Sequence, residues 1–341
     1  MSELNINKLK SLKSMIGETP LLEISFKYKG KEMKIYAKAE YYNLTGSIKD
    51  RMAYYVLKKA YEKNEIKSGD RIVEATSGNT GISFAAIGRA LGHPVSIYMP
   101  DWMSKERINL IKAFGADIEL VSHQQGGFVG SIEMTEKLAR ENANCFLPRQ
   151  FSNPNNAEAH YMTTGPEIWR SFNIIQATPD AFIAGVGTGG TVMGVGQYLK
   201  ERNRSMNIYP LEPKNSPTLS TGCKIGKHRI QGISDEFIPD IVDLNWLDQV
   251  ISVDDGDAIN MARKLSKDLG LGVGISSGAN FLGAIMVMDL IGYDKIVVTV
   301  FSDDNKKYLS TDLMNDENID REYVSENIQL VHYKAYRNVV V

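Results

Sequence analysis

The sequence holds two cysteines, Cys145 and Cys223, far apart and in no Cys-x-x-Cys pair. That argues against a disulfide framework and a structural zinc site and fits a reducing compartment. Five histidines (His93, His123, His160, His228 and His332) show no metal-ligand spacing, so no metal is expected. No apolar run approaches the ~18 residues of a membrane-spanning helix, and the opening stretch MSELNINKLKSLKSM lacks the apolar centre of a signal peptide. Neither sign of charge dominates: 39 basic against 41 acidic residues leave a formal net charge of −2. That balance argues against a nucleic-acid footprint. Internal repeats, low-complexity tracts and long linkers are missing as well. The expectation is a soluble cytoplasmic protein with no membrane or nucleic-acid partner.

What is present is ordinary globular composition, 43% apolar and 9% aromatic over 341 residues, enough for one large domain or two moderate ones. Short β-rich runs alternate with helical patterns. Strands are expected at 34–40, 71–76, 95–100, 117–121, 181–187, 250–255 and 295–302. Helices are expected at 50–64, 81–92, 105–114, 131–142, 190–200, 257–269 and 278–290. This rhythm implies an α/β fold of mostly parallel sheets flanked by helices, with ligands at the strand ends where helix N-termini converge. The turn RQFSNPNN (149–156) is the best candidate for a crossing between two lobes.

Two glycine-rich loops stand out. Between a strand and a helix, Gly187, Thr188, Gly189, Gly190 and Thr191 offer backbone N–H groups, two hydroxyls and a helix start, which suits a phosphate dianion. A tight turn with small packing residues is the plain alternative. Gly185, Gly187 and Gly190 also match G-x-G-x-x-G, so a nicotinamide oxidoreductase is a rival. It is disfavoured because no acidic residue ends a following strand in the ribose-binding position; the nearest, Glu212, is read in the loop LEPKNSP. The second loop, Thr76, Ser77, Gly78, Asn79 and Thr80, suits a carboxylate. Helix capping explains any one of its polar residues but not five in succession. A third loop, GISSGAN (274–280), places Ser276 and Ser277 ahead of a helix.

In NLTGSIKDRM (43–52), Lys49 sits between a Gly-Ser turn and a fresh helix. A solvated lysine is the ordinary reading. With a phosphate cradle and a carboxylate cradle in one α/β chain, another reading emerges: pyridoxal 5′-phosphate acting on an amino acid, with Lys49 as the amine that attacks the aldehyde. Partial desolvation would lower its pKa and leave it unprotonated.

The segments IGETPLLEI, NLTGSIKDR, EATSGNTG, RQFSNPNN, HYMTTGPEIW, GVGTGGT, HRIQGI, GISSGAN and KKYLST, in this order over most of the chain, resemble the fold-type II pyridoxal-phosphate enzymes of the cysteine synthase and cystathionine β-synthase family. The resemblance implies a two-lobed, tryptophan synthase β-like fold. Residues 44–152 would form a smaller, mobile substrate-clasping domain, and 1–43 with 153–341 a larger cofactor-binding domain. It implies that Lys49 is the Schiff-base lysine and the base for the Cα proton. Asn79 would bond the cofactor's 3′-hydroxyl, and Gly187, Thr188, Gly189, Gly190 and Thr191 would hold its phosphate. Thr76, Ser77, Thr80 and Gln150 would clasp the substrate carboxylate. Ser276 would face the pyridine nitrogen, with Ser277 as a nearby alternative; a neutral serine there favours β-elimination over transamination or racemisation. No haem segment or regulatory extension is seen, so the compact homodimeric type is expected.

One departure from the family is informative. Where cysteine synthases have a run like GIGAGFIP and cystathionine synthases GIGYDFIP, this chain reads GISDEFIP, placing Ser234, Asp235 and Glu236 on a loop that faces the substrate β-carbon in the family. Surface drift in a polar loop is the plain reading. The functional one is that Asp235 acts as a general base for water, an acceleration of about 10²–10⁴-fold. Sulfide needs no such base, and a carboxylate repels it. The expected reaction is then L-cysteine plus water giving L-serine and hydrogen sulfide through an α-aminoacrylate, as in sulfide-producing members of the family from anaerobic bacteria. The rival is O-acetylserine sulfhydrylation to cysteine; other thiols would give lanthionine or cystathionine, and deamination would give pyruvate and ammonia. A non-catalytic cofactor-binding or regulatory protein, perhaps a partner of an acyltransferase, is disfavoured because every expected catalytic position is filled. A second departure, Ser302, Asp303 and Asp304 in place of the proline and glycine of a PDSGERYLST-like segment, has no account from the sequence.

Overall fold

The structure, a computed structural model, describes residues 3–315, 320 and 322–337 of the 341. Residues 1–2, 316–319, 321 and 338–341, expected in the larger lobe, lie outside that description. Helix α1 (Glu3–Ser14) leads into the antiparallel strands β1 (Leu21–Tyr28) and β2 (Lys31–Ala39). They are joined at Lys29 and Gly30, both with positive φ (49° and 75°), the backbone that matches the twist of a tight hairpin. Next come α2 (Lys49–Glu62), β3 (Arg71–Ala75), α3 (Asn79–Leu91), β4 (Val95–Pro100), α4 (Lys105–Ala113), β5 (Asp117–Val121), α5 (Gly127–Glu141) and β6 (Cys145–Phe146). Here strands and helices alternate, and the strands make a parallel four-stranded sheet in the order β5-β4-β3-β6.

After a turn at 147–154 the chain runs through α6 (Asn155–Met162), α7 (Thr164–Ile174), β7 (Ala181–Gly185), α8 (Gly190–Arg202) and β8 (Asn207–Pro213). The short α9 (Thr218–Thr221), β9 (Ile251–Val253), α10 (Asp255–Leu269), α11 (Ile275–Ile291), β10 (Val297–Phe301) and β11 (Ile328–Tyr336) complete it. These strands join β1 and β2 in a seven-stranded sheet, β11-β1-β2-β10-β7-β8-β9. From β2 to β9 it is parallel; at the other edge β1 pairs antiparallel with both β2 and β11.

Burial explains these elements. VVTVF in β10 is buried throughout, as expected of a parallel strand covered on both faces. Helix α11 is apolar all round and lies between the large sheet and α10. The small sheet has its own core, built on Ile72, Phe84, Val95 and Ile97. Leu9 and Ile16, in the N-terminal stretch expected to belong to the larger lobe, pack into this small-sheet core.

The alternating strands and helices named from the sequence are present, with ends shifted by a few residues. Strands β1, β6, β8 and β11 and helices α1, α6, α7 and α9 were not read from it. NIYPLEP in β8 carries two prolines and a glutamate, so its pattern does not announce a strand, yet nearly all of it is buried between β7 and β9. Among the described residues no helix is long and apolar enough to cross a membrane.

Candidate active site

The loops after β3 and β7 open onto one cleft, and α2 begins at it. Lys49, Thr76, Ser77, Asn79, Thr80, Gln150, Gly187, Thr188, Thr191, Asp235 and Ser276 all line it. Gly189 and Gly190, in the same turn, do not line it; Gly189 takes a φ of 83° at the helix start.

Lys49 is the first residue of α2, and its two successors fix the helix. Asp50 is buried and accepts hydrogen bonds from Thr45 N and Oγ1 (2.6 Å each) and from Ser83 Oγ (2.7 Å). Arg51, also buried, forks between Glu40 (2.6 Å) and Glu167 (2.7 Å), and Lys38 adds a 2.8 Å ion pair to Glu167. Lys49 itself is half-buried and faces the cleft, so it is not a solvated helix-start lysine. Burial lowers its amine below the usual lysine value, and the charges of Asp303 and Asp235 partly oppose that shift.

Thr80 donates to Gln150 Oε1 (2.6 Å), and Gln150 Nε2 donates to the Ala75 carbonyl (2.8 Å), so the loop after β3 and the 149–156 turn are locked together. Beneath them lies Glu74, which accepts from Ala75 N (3.0 Å) and Gln150 N (3.3 Å) and whose carboxyl burial pushes up to about 8. Asn79 donates to Asp303 Oδ2 (2.7 Å), while its own Oδ1 is buried without a hydrogen-bond partner among the described residues.

At the opposite end α8 starts at Gly190, so the Gly187–Thr191 turn directs N–H groups and the positive end of a helix at the cleft. A Cβ on Gly190 would lie 2.0 Å from Asn156 Oδ1, and one on Gly187 would lie 2.5 Å from the Gly232 carbonyl. Asn156 Nδ2 donates to both the Gln150 carbonyl (2.8 Å) and Thr188 Oγ1 (2.9 Å), joining the two loops. His160 lies between Thr164 Oγ1 (2.9 Å) and Thr191 Oγ1 (3.4 Å); burial, with Arg51 and Lys49 nearby, pushes it down to about 3, so it is neutral. Neither Asn156 nor His160 was singled out from the sequence, although RQFSNPNN and HYMTTGPEIW contain them.

The two serines of the third loop separate cleanly. Ser276 lines the cleft, whereas Ser277 Oγ accepts the Ser302 N–H (3.0 Å). Asp235 lies in a loop pinned next door: Ser234 takes a left-handed φ of 55° and donates its N–H to the Val186 carbonyl (2.7 Å). Ser234 Oγ reaches the Ser216 carbonyl and Thr218 Oγ1 (3.1 Å each). Desolvation pushes the Asp235 carboxyl up to about 7, against the pull of Lys49. Glu236, by contrast, pairs with Lys224 (2.7 Å).

Glu212 requires a correction. It lies near the C-terminal end of β8, between β7 and β9, and not in a loop. Its buried carboxylate is engaged by Leu219 N (2.7 Å), Ser220 Oγ and Ser252 Oγ (3.1 Å), capping the short α9. The strand is not legible because it contains two prolines, and the acid's exclusion as a ribose ligand rests on those bonds.

These residues fit pyridoxal phosphate: a turn closed to any Cβ beside a helix start can take the phosphate, an orphaned Asn79 oxygen and Ser276 can flank a polar ring, and Lys49 offers an amine. The sequence pattern of the pyridoxal-phosphate dependent enzymes matches residues 12–303. A probable cysteine synthase of Bacillus subtilis is 41% identical over 299 residues, 88% of this chain and 96% of that protein. A solved hydrogen sulfide-producing enzyme from Fusobacterium nucleatum is 61% identical, covering 97% of this chain and 99% of its own with a TM-score of 0.95. An aspartate-to-asparagine variant of that enzyme, 60% identical to this chain, has been solved with an α-aminoacrylate intermediate. Cysteine synthase from Entamoeba histolytica is 36% identical over 93% of each chain, with a TM-score of 0.82.

Proposed function

The chain belongs to the pyridoxal-phosphate-dependent enzymes of the cysteine synthase family, and on that premise we propose that it converts L-cysteine and water to L-serine and hydrogen sulfide. One observation carries this reading: Asp235, a carboxyl raised to about 7, lines the same cleft as Lys49 and acts on its charge. When bound, the cofactor supplies an electron sink that weakens the bonds at the amino acid's α- and β-carbons. The protein residues do the rest. Thr76, Ser77, Thr80 and Gln150 hold the substrate carboxylate, Gly187–Thr191 hold the phosphate, and Asn79 and Ser276 flank the ring. Lys49, its amine lowered by burial, takes the Cα proton and later returns it.

The Cβ–S bond breaks with its electron pair on sulfur, and sulfide leaves. A water oxygen then bonds to Cβ while Asp235 takes the water proton; that proton balances the departing HS⁻ as hydrogen sulfide. Water is a poor nucleophile and gains from a base near neutral pKa. Two unit charges of like sign ~4 Å apart at an effective dielectric of ~20 cost about 4 kcal/mol, so an ionised Asp235 favours the exit of HS⁻ and opposes its re-entry.

A second reading, synthesis of L-cysteine from O-acetylserine and sulfide, is favoured by the 41% identity to a protein named cysteine synthase; lanthionine or cystathionine formation would be variants with thiol nucleophiles. The deciding experiment supplies L-cysteine alone to wild type and Asp235→Asn and quantifies sulfide, serine and pyruvate. Sulfide and serine in equal amounts from wild type, with serine lost in the variant, support the proposal. Inert cysteine, with O-acetylserine and sulfide consumed equally by both proteins, overturns it.

A further inference from the structure

Arg107 projects from the first turn of α4, is 1% exposed, and lies in the lining of the cleft. Its Nε and Nη1 have no hydrogen-bond partner among the described residues. A guanidinium so placed has lost water on most sides without gaining a carboxylate, which is costly unless an anion arrives. Neither Glu106 nor Asp303 forms an ion pair with it among the described residues. Glu106, its neighbour in sequence, accepts from Ser310 Oγ (2.6 Å). Asp303 accepts at Oδ2 from Asn79 and from Tyr308 Oη (2.7 Å each), its Oδ1 packs on Gly274 with no hydrogen bond among the described residues, and Arg107 lies over the face of that Tyr308 ring, 4.5 Å from its centroid. The Tyr308 side chain therefore engages both groups, and among the described residues the guanidinium has no ion-pair partner.

Its position is specific. A Cβ on Gly78 would lie 2.2 Å from Arg107 Cδ and 2.6 Å from Nε, so the arginine packs directly on the turn from which Ser77, Asn79 and Thr80 reach the cleft. Only glycine at 78, with φ 153°, lets loop and guanidinium come this close. The same loop opens α3, whose N-terminus adds positive potential. Ser104 Oγ, donating to the Lys307 carbonyl (2.9 Å), holds the entry to α4 in place.

We infer that Arg107 is a binding residue of this site, its buried and unpartnered guanidinium pairing with the α-carboxylate of the amino acid held by the 76–80 loop. This rests on reading that loop as the carboxylate clasp, but not on which nucleophile follows. Arginine suits the task, because its planar fork matches a carboxylate.

The test uses the cofactor-loaded enzyme, with binding of L-cysteine and of L-cysteine methyl ester followed by the fast change in cofactor absorbance on mixing. L-cysteine is substrate in one reading of the reaction and product in the other, so its binding is informative in both. In Arg107→Met the Kd for cysteine should rise on the order of 10–100-fold, the loss expected for a charge-assisted bond, with the neutral ester little affected. Arg107→Lys, which keeps charge but not the fork, should show a smaller rise confined to cysteine. It also carries the test if the methionine variant fails to fold. Equal weakening of acid and ester in the folded variants, or no change in either, overturns the inference and leaves Arg107 a packing residue for Tyr308. Sulfide and serine yields, measured in parallel on wild type, report separately on the proposed reaction.

Discussion

Asn79 donates a 2.7 Å hydrogen bond to Asp303, and that bond joins the two sheets beside the cleft. Asn79 begins α3 on the small sheet, while Asp303 follows β10 of the large one. The same carboxylate oxygen accepts from Tyr308, and Asp303 is also the foremost charge holding up the amine of Lys49. One buried acid thus couples the two sheets to the residue between them, at a position for which the sequence offered no role.

Replacing Asp303 with asparagine should therefore lower the pKa of Lys49 further, since burial already depresses it and the opposing charge is removed. An amine must be unprotonated to add to an aldehyde. Cofactor uptake by the cofactor-free protein, followed by absorbance across a pH series, should shift its midpoint to lower pH. An unmoved midpoint would mean that Asp303 serves only to bridge the two sheets.

Asp235→Asn should slow serine formation by about 10²–10⁴-fold, the usual contribution of a general base. Because desolvation raises this carboxyl to about 7, it is protonated at lower pH and cannot accept a proton there. Wild-type serine production should fall as pH drops through about 7, and the asparagine variant should lose that limb of the profile. A limb that persists in the variant would assign it to another group.

Gly190→Ala tests the phosphate turn. The new methyl would lie 2.0 Å from Asn156 Oδ1, which cannot move freely because its amide bonds Gln150 and Thr188. Cofactor affinity should weaken by at least about tenfold, or ~1.4 kcal/mol, as measured by absorbance titration. Asn156→Ala removes the obstacle but takes the Asn156 amide donor from the Gln150 carbonyl and Thr188 Oγ1, at a cost of about 1–3 kcal/mol.

Arg51→Met leaves Glu40 and Glu167 buried without their shared partner. Breaking such a network by removing one member costs about 3–5 kcal/mol, which should appear as a lowered denaturant midpoint even without cofactor. In wild type, Arg51 foremost among the attractive charges holds both carboxyls below their ordinary value of 4.5, overcoming their burial. Their stabilisation is therefore present above that value and lost as pH falls below it. The variant should be the less pH-sensitive protein on the acid side.

The sequence by itself determined the strand-helix alternation, the glycine turns of 76–80 and 187–191, and the lysine at the head of α2. Each is a local pattern: apolar periodicity, a run of small residues at a helix start, a turn before a helix. It also exposed Asp235 as a departure from its family. Strand β8 was not legible, because prolines and a glutamate hide a segment that is buried only by its neighbours. Tertiary structure alone decided that Ser276 faces the cleft while Ser277 turns to Ser302, that Asn156 ties the two loops, and that Asp303, Asp235 and Lys49 share one field. Those relationships join residues far apart in the chain, and no spacing encodes them. Burial sets their charges, and burial exists only once the two sheets have closed around the cleft.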